Sequence, residues 1–353
     1  MSTVFVAMSG GFDSSFAARL LKEQGHHVVG FTFVLLPKGM ADSNNPKACC
    51  SAASVNRARK TAHDLSIPHY VIDLRDEFER HVITRFIDEY RVGRTPNPCI
   101  LCNTFIKFGA FRDRAVALGA DQLATGHYAS IDTTPEGPRL KKPADKTKDQ
   151  SYFLYGIKRD SLSSILFPLA SRIKSEAVRE MQQQHSHYAG VRESQDICFI
   201  PEGDYRAFLG QFVPFKKGEI VSLDGRILGH HDGVHLYTVG QRRGLGIPFS
   251  VPLYVLEIDT ESNTVVVGPR EHLEKTSLVA SGLNLFADPH GIPLTGKVRY
   301  RQKERPCSCR VDGDSMFVKF EAPISSVTPG QSVVLYDGDT VIGGGTIDRA
   351  LQG

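Results

Sequence analysis

The chain has 353 residues, of which 41% are hydrophobic and 23% charged, with 42 Lys and Arg against 39 Asp and Glu. This composition is typical of a globular protein and excludes collagen-like, coiled-coil and disordered chains. The length allows two or three domains, and a net charge of +3 does not by itself indicate a nucleic-acid partner.

Short apolar runs that predict strands alternate with segments of helical periodicity in the first third of the chain. The predicted strands are residues 4–8, 28–34, 69–74 and 122–125, and the predicted helices are residues 13–24, 56–65, 77–90 and 108–118. Strands separated by helices indicate βαβ units, so we predict an α/β domain with a parallel sheet.

Glycines and prolines punctuate the chain after residue 199, and strand-like runs dominate from about residue 250. These runs are residues 254–259, 264–268, 296–300, 315–320 and 332–336. Short, evenly spaced runs between turn residues are typical of a β-barrel or a β-sandwich. We therefore predict three domains, covering residues 1–204, 205–277 and 278–353.

The first predicted strand leads into the loop SGGFDS at residues 9–14, and a helix follows. Two glycines allow a sharp turn and close approach of a ligand, and the helix start favours an anion. The loop lacks the lysine of a Walker A motif and the spacing of a dinucleotide fingerprint. It resembles the PP-loop of ATP pyrophosphatases, which cleave ATP between the α and β phosphates. Asp13 is a candidate to hold Mg²⁺ or to orient phosphates.

Three cysteines suggest thiol chemistry. Cys99 and Cys102 form a CxxC before a predicted helix, whose dipole would make a thiol more acidic, and Cys198 lies far along the chain. The CxxC alone is compatible with redox, zinc or catalytic roles, and zinc is disfavoured because Cys307 and Cys309 have no histidine nearby. The phosphate loop and the third cysteine favour sulfur transfer, in which one thiol carries a persulfide and another resolves it.

The sequence gives no sign of membrane insertion or secretion. No apolar stretch approaches the ~18 residues of a membrane span, and the first residues lack the basic and apolar regions of a signal peptide. An odd number of cysteines, seven, does not predict a disulfide framework. We expect a cytoplasmic protein with reduced thiols and no membrane partner.

Eight motifs resemble those of the tRNA-specific 2-thiouridylase (MnmA) family, within the PP-loop ATP pyrophosphatase superfamily, over essentially the whole chain. They are SGGFDS, GRTPNPCILCNTFIKF, ATGHYA, KDQSYFLY, SQDICFI, YTVGQRRGLGI, VRYRQ and TPGQSVVLYDGD. The resemblance implies an adenine nucleotide α-hydrolase-like PP-loop domain, a small central domain and a tRNA-binding C-terminal β-barrel. It implies that ATP, with Mg²⁺, activates the wobble uridine of tRNAs for Lys, Glu and Gln, and that sulfur from an upstream persulfide donor replaces O2.

The resemblance also implies site residues. The nucleophile falls on Cys102 and the persulfide on Cys198, and these two can form a disulfide after sulfur release. The implied ATP site comprises Ala7, Met8, Ser9, Gly10, Gly11, Phe12, Asp13, Ser14, Phe33 and Gly126. The implied tRNA contacts are Asn97, Pro98, Cys99, His127, Lys148, Asp149, Gln150, Arg299, Tyr300 and Gln331. The chain departs from the family at Phe33, where Met is common, and at Cys99, where some members have Asp.

The residues alone are also compatible with two other functions. A PP-loop synthetase using ammonia would be indifferent to loss of the cysteines. An iron–sulfur-binding RNA module could use Cys99, Cys102 and Cys198 as cluster ligands. RNA is favoured as a partner by basic runs at residues 139–148 and 297–310, because Arg299-Tyr300-Arg301 suits phosphate contact and base stacking.

Overall fold

The computed structural model describes residues 1–38, 40, 51–184, 197–200 and 204–351. The chain divides into two compact units. The first comprises Met1–Ile83, Pro98–Asp204 and Asp339–Val341, and the second comprises Thr84–Asn97, Tyr205–Gly338 and Ile342–Gly353. Segment Thr84–Asn97 thus groups with the second unit, although the predicted boundaries assign it to the first domain. Within the described ranges, no helix has the length and apolarity needed to cross a membrane.

Strands and helices alternate through the first half of the chain, which confirms the predicted α/β organisation. In chain order the elements are β1 Thr3–Ala7, α1 Phe12–Glu23, β2 His27–Val34, α2 Ala52–Asp64, β3 His69–Asp73, α3 Arg75–Phe78, a π-helix Glu79–Ile83, α4 Thr84–Arg91, α5 Pro98–Leu101, a π-helix Cys102–Ala110, α6 Phe111–Ala117, β4 Gln122–Ala124, β5 Ser130–Thr134, β6 Gly137–Lys141, β7 Ile165–Leu166 and α7 Lys174–Gln184.

A parallel sheet with the strand order β3-β2-β1-β4-β7 forms the centre of the first unit. β1 lies between β2 and β4, so the strand order reverses direction at β1 and β4. Ligands of open α/β sheets bind outside the carboxyl ends of the strands at such a point. The loop SGGFDS follows β1 and Gly126 follows β4, which places both at this edge.

Two helices differ from their predicted bounds. The helix predicted at residues 108–118 begins at Pro98 and continues through a π-helix into α6. Proline is well suited to the first helical position, where its missing N–H costs nothing, so Pro98 starts the helix, and Pro96 precedes it. The helix predicted at residues 77–90 is instead α3, a π-helix and α4. π-Helical turns are frequent at functional sites.

The second half of the chain is mostly β-structure, as predicted. Its elements are α8 Tyr205–Leu209, β8 Gly218–Ser222, β9 Ile227–His231, β10 Tyr254–Asp259, β11 Thr264–Gly268, β12 Glu274–Leu285, β13 Leu294–Lys297, β14 Arg305–Asp312, β15 Ser315–Ser325, β16 Ser332–Asp337 and β17 Thr340–Leu351. The strand predicted at residues 296–300 is wrong at its end. β13 ends at Lys297, and the N–H of Gln302 donates to the Arg299 carbonyl in the turn that follows.

Six strands form a closed barrel in the order β12-β15-β14-β13-β16-β17, with β12 pairing back to β17. Closure removes exposed strand edges. The interior holds fully buried side chains such as Leu278, Met316, Val318 and Leu335. β10, β11, β8 and β9 form a separate four-stranded sheet with its own apolar core.

Two histidines are buried in the core beside this four-stranded sheet. His231 is 3% exposed and His235 is 6% exposed. Burial lowers the pKa of both imidazoles below the ordinary value. Within the part of the chain that the structure describes, His231 Nδ1 and His235 Nε2 have no hydrogen-bond partner. Both rings therefore favour the neutral form in the folded protein.

We expect the protein to lose stability as the pH falls below about 6.5. Below this pH the two histidines bind protons in the unfolded chain but not in the folded protein. The free energy of unfolding therefore falls by up to about 1.4 kcal/mol per pH unit for each ring. Replacing His235 with Phe removes one such group, so the fall in melting temperature between pH 7.5 and 5.5 becomes smaller. Exposed His272, changed to Gln, serves as the control. An equal pH dependence in His235→Phe and wild type would contradict this account.

Candidate active site

The loop after β1 is held by hydrogen bonds between its own residues. The Ser9 N–H donates to Ser14 Oγ at 3.1 Å, and Ser14 Oγ donates to the Gly11 carbonyl at 3.1 Å. The two serine hydroxyls lie 3.2 Å apart. Gly11 is the N-cap of α1 and has no side chain to cover the first turn. This arrangement leaves space for a phosphate at a helix N-terminus.

Gly10 is required for the loop to pack against α2. It adopts φ +68°, and a Cβ there would lie 2.0 Å from the Ser54 carbonyl oxygen. Arg57, one turn further along α2, donates from Nε to the Gly10 carbonyl at 2.9 Å. Arg57 has no signal in the sequence, because nothing in the order of residues places α2 beside the loop.

Gly126 brings the end of β4 against the same loop. A Cβ on Gly126 would lie 2.6 Å from both the Asp13 carbonyl carbon and the Ser14 amide nitrogen. The structure therefore brings together two parts of the predicted ATP site that are more than a hundred residues apart. Phe33 lies near the carboxyl end of β2, two residues past the partner of Ala7, where its ring packs 4.7 Å from that of Phe111 and is 9% exposed.

Lys174, at the start of α7, places a positive charge beside the phosphate loop. Its ammonium forms an ion pair with Asp13 and lies 4.9 Å from the centre of the Phe12 ring and 5.5 Å from that of Tyr128. No local pattern connects Lys174 with Asp13, because 161 positions separate them in the sequence. Asp13 thus has a cationic partner in this structure, and Lys174 supplies a charge that a Walker A lysine would otherwise provide.

Polar side chains beside the CxxC form a connected group. Lys107 Nζ donates to Asn103 Oδ1 at 2.9 Å and lies 3.5 Å from His127 Nε2. Asn103 Nδ2 donates to the Phe153 carbonyl at 3.0 Å. Lys107 and Asn103 belong to the helix that carries Cys102, so this group fixes one face of that helix. Both were missed from the sequence, where LCNTFIKF reads as an ordinary helix.

His127 is held neutral within this group. Its Nδ1 lies 2.7 Å from Thr125 Oγ1. Burial, with the nearby Lys107 ammonium, holds the pKa of His127 well below its usual range. A neutral imidazole donates at one nitrogen and accepts at the other, so His127 can accept from Lys107 at Nε2 and donate to Thr125 at Nδ1.

The two cysteines of the CxxC differ in surroundings. Cys99 is exposed and Cys102 is half-buried. Loss of hydration raises the pKa of the Cys99 thiol, and the Lys107 ammonium opposes this rise.

Changing Lys107 to Met is expected to slow alkylation of Cys99 by iodoacetamide about threefold or more at pH 7.5, because the rate follows the thiolate fraction. Lys107→Arg should keep the wild-type rate, since the charge remains. The alkylated peptide is quantified by mass spectrometry, with exposed Lys22→Met as the control. An unchanged rate in Lys107→Met would show that Lys107 does not act on this thiol.

Cys198 lies in the described segment 197–200, although residues 194–196 of its SQDICFI motif lie outside the described residues. The ring of Phe199 packs edge-on to Phe78 of α3 at 5.8 Å. Phe105, three residues after Cys102, stacks on His81 at 5.0 Å. Phe78 and His81 are three residues apart in one helical segment. The segments of Cys102 and Cys198 are therefore attached to the same helix at neighbouring positions, while direct approach of the two sulfurs stays a prediction.

The predicted tRNA contacts of the first unit have internal hydrogen bonds. Gln150 Oε1 accepts from the Tyr128 N–H at 2.8 Å, beside His127. Asp149 is 7% exposed, and its Oδ1 accepts from the Ser151 N–H at 2.9 Å. Lys148 is half-buried. The structure therefore brings Gln150 next to His127, and their contacts with RNA stay predictions.

The predicted tRNA contacts of the second unit also have internal partners. Arg299 Nη2 donates to the Val239 carbonyl at 2.8 Å and to Thr328 Oγ1. Gln331 Nε2 donates to the Thr95 carbonyl at 2.7 Å. Lys297 lies 5.6 Å from the centre of the Tyr300 ring. Some basic side chains of residues 297–310 thus make contacts within the protein and are not wholly exposed to solvent.

Among the residues that the structure describes, no group of three or more His, Cys, Asp or Glu side chains is arranged to hold a metal ion. A cluster on Cys99, Cys102 and Cys198 therefore gains no support from the geometry.

These features define a class of protein. A parallel sheet with a phosphate loop at its switch point, a nearby CxxC helix and a separate β-barrel indicate a nucleotide-dependent enzyme with thiol chemistry and an additional binding domain. Three family models match the chain. Residues 2–202 match the tRNA methyl transferase HUP domain, residues 206–269 its PRC-barrel domain, and residues 275–347 the aminomethyltransferase beta-barrel domain.

Full-length relatives carry a common name. The chain is 46% identical over 352 residues to tRNA-specific 2-thiouridylase MnmA 1 of Syntrophus aciditrophicus, which covers 99% of this chain and 93% of the relative. It is 44% identical to the MnmA of Heliobacterium modesticaldum, with the same coverage, and 43% identical to that of Halothermothrix orenii, covering 98% and 99%. The chain belongs to the tRNA-specific 2-thiouridylase (MnmA) family.

Proposed function

We propose that this protein is a tRNA-uridine 2-sulfurtransferase, which uses ATP to replace O2 of the wobble uridine of tRNAs for Lys, Glu and Gln with sulfur. The observation that carries the proposal is the attachment of both cysteine segments to one helix of the unit that contains the phosphate loop. Family membership supports it, since the relatives named above are 2-thiouridylases. Two of the family models are named after tRNA methyl transfer, a reaction that does not need ATP cleavage at a PP-loop.

The chemistry proceeds in two steps. O2 of the uridine attacks the α phosphorus of ATP and pyrophosphate leaves, which converts O2 into part of an AMP leaving group. Sulfur then attacks C2, and AMP departs with the oxygen. Oriented N–H groups and a fixed cation stabilise charge that develops on phosphate, and α1 and Lys174 are placed to do so.

The sulfur comes from a persulfide on Cys198, loaded by an upstream donor. Either the Cys102 thiolate attacks the Cys198 sulfur and releases hydrosulfide, which attacks C2, or the terminal sulfur of the persulfide attacks C2 first. In the direct route AMP leaves while C2 stays joined to Cys198 through two sulfurs, until the Cys102 thiolate attacks the Cys198 sulfur and releases the 2-thiouridine. Both routes leave a disulfide between Cys102 and Cys198, which an external thiol must reduce.

Mg²⁺ fits the site only as part of a nucleotide complex. Mg²⁺ is usually held by one or two carboxylates together with substrate phosphates. Asp13 is the carboxylate at the loop, and its ion pair with Lys174 would have to open for it to reach the metal. The ion would supply charge neutralisation on the leaving pyrophosphate.

Reconstitution tests the proposal. The protein is incubated with an unmodified tRNA transcript, ATP, Mg²⁺ and a persulfide donor, and nucleosides are analysed by mass spectrometry. We expect 2-thiouridine at the wobble position, with AMP and pyrophosphate formed in equal amounts, and no product without ATP. A product that contains nitrogen from ammonia, formed without any persulfide, would instead support a synthetase.

A further inference from the structure

Thr95 makes hydrogen bonds to other residues of the second unit through its N–H, its carbonyl and its hydroxyl. Its N–H donates to the Pro329 carbonyl at 2.8 Å, and its carbonyl accepts from Gln331 Nε2 at 2.7 Å. Its Oγ1 donates to Thr238 Oγ1 at 3.2 Å. Two separate segments, residues 328–331 and residues 238–241, therefore fix one residue.

The turn at residues 328–331 is built to fit Thr95. Gly330 adopts φ +87°, and a Cβ there would lie 2.8 Å from the Thr95 nitrogen and 2.9 Å from its carbonyl carbon. The Gly330 N–H donates to the Ile347 carbonyl at 2.8 Å, and the Ile347 N–H donates to the Gln331 carbonyl at 2.7 Å. Because β17 anchors both residues of the turn, the turn can act as a fixed support.

The residue before Thr95 is held by the same strand. Arg94 Nε lies 2.7 Å from Glu89 Oε2, and Arg94 Nη1 lies 3.3 Å from Asp348 Oδ1. Arg94 Nη2 donates to the Ile347 carbonyl at 3.3 Å. The side chain of Arg94 is thus tied to β17, and the backbone of Thr95 is tied to the turn that β17 anchors.

The segment that carries Cys99 follows Thr95 directly along the chain. The chain runs from Thr95 through Pro96, Asn97 and Pro98 to Cys99. Each proline fixes φ near −65°, and the residue before a proline is restricted as well. A chain this stiff transmits the orientation of Thr95 to Asn97 and Cys99, two of the predicted contacts with the target base.

We propose that Gln331 is a positioning residue, which holds the Thr95 carbonyl and thereby sets the position of the Asn97–Cys99 segment in the free protein. This differs from a direct contact with tRNA, because it operates before any RNA binds. The kinetic part of the inference rests on the proposed function, whereas the thiol-reactivity part does not.

Variants at position 331 separate the two roles. Gln331→Glu keeps the shape but cannot donate to the Thr95 carbonyl, and Gln331→Ala removes the side chain. In the absence of tRNA we expect both to change the iodoacetamide alkylation rate of Cys99 by about threefold or more. In single-turnover thiolation we expect a rate about tenfold lower, with the Kd for tRNA within about twofold of wild type.

Asn263→Asp is the matched control. Asn263 Nδ2 donates to the Lys217 carbonyl at 2.8 Å in the same unit, a bond of the same kind that does not involve Thr95. This variant should leave alkylation and turnover unchanged. Thr95→Val removes only the hydrogen bond from the Thr95 hydroxyl to Thr238. We expect it to change the alkylation rate of Cys99 in the same direction as the Gln331 variants, but less. This variant provides the same test if the Gln331 variants fold poorly.

Two results would overturn the inference. If the Gln331 variants leave Cys99 alkylation unchanged but raise the Kd for tRNA, Gln331 is a direct RNA contact. If they change Cys99 alkylation but leave the single-turnover rate of thiolation unchanged, Gln331 has no positioning role in the reaction. If wild-type protein formed no 2-thiouridine, the proposed function would fail while the alkylation comparison would still test the hold on Thr95.

Discussion

Protein in which Cys198 is replaced by serine is expected to release pyrophosphate from ATP in the presence of tRNA but to form no detectable 2-thiouridine. A serine hydroxyl cannot carry a sulfane sulfur, so the variant loses the sulfur source while the phosphate loop and its neighbours stay intact. We expect a loss of at least about a thousandfold in thiolation, which is typical of removing a covalent carrier. Pyrophosphate release and tRNA nucleosides are measured in the same reaction.

Cys309→Ser is the control for loss of a thiol. Burial raises the pKa of Cys309 to about 11, so this thiol stays protonated and is a poor nucleophile at neutral pH. Its replacement should leave thiolation at the wild-type rate. Full thiolation by Cys198→Ser would exclude Cys198 as the sulfur carrier.

Cys102→Ser distinguishes the two routes of sulfur transfer. If the persulfide attacks C2 directly, persulfide-loaded Cys102→Ser gives a tRNA–protein adduct through Cys198, because no Cys102 thiolate cleaves the S–S bond, and dithiothreitol added after ATP is removed releases 2-thiouridine from it. If Cys102 first releases hydrosulfide, the same variant gives neither the adduct nor 2-thiouridine. Single-turnover analysis with preloaded protein therefore assigns the step in which Cys102 acts.

Gly10→Ala is expected to raise the Kd for ATP by at least about a hundredfold, or ~2.7 kcal/mol. The added methyl would lie 2.0 Å from the Ser54 carbonyl oxygen, so the loop or α2 must move, and a left-handed φ of +68° is itself unfavourable for alanine. Movement of the loop disrupts the N–H groups that we expect to hold phosphate. Isothermal titration with ATP measures the change without requiring tRNA or sulfur transfer.

Gly25→Ala separates the steric effect from backbone strain. Gly25 has φ +83°, and no atom lies within 4 Å of the position of its absent Cβ. This variant should lose about 1 kcal/mol of stability and bind ATP as wild type does. Equal ATP affinity in Gly10→Ala and Gly25→Ala would show that the loop is not the nucleotide site.

The sequence predicts the phosphate loop well because its signals are local. A strand, two glycines and a helix occur within twenty residues, and backbone sterics and the helix dipole determine what they form. The sequence predicts the start of the helix that carries Cys102 ten residues too late, at Phe108 rather than Pro98. Pro98 occupies the first helical position, where a proline is compatible with the helix, so it does not mark a break.

The surroundings of the loop and the thiols depend on tertiary contacts that no local pattern encodes. Lys174 reaches Asp13 from α7, and Gln331 reaches Thr95 from the barrel across 236 positions. Long strands such as β12 and β17 were missed because bulges interrupt the alternation of buried and exposed residues. The family resemblance implies which residues contact tRNA, whereas the structure shows that Arg299 and Gln331 make hydrogen bonds within the protein.

The most direct test of the account uses protein loaded with heavy-isotope sulfane sulfur on Cys198 and then freed of donor. Unmodified tRNA is added with or without ATP, and the wobble nucleoside is analysed by mass spectrometry after one turnover. We expect the heavy isotope in 2-thiouridine only when ATP is present, in an amount that does not exceed the loaded sulfur. Heavy 2-thiouridine formed without ATP, or ATP consumed with all the label still on the protein, would contradict the account.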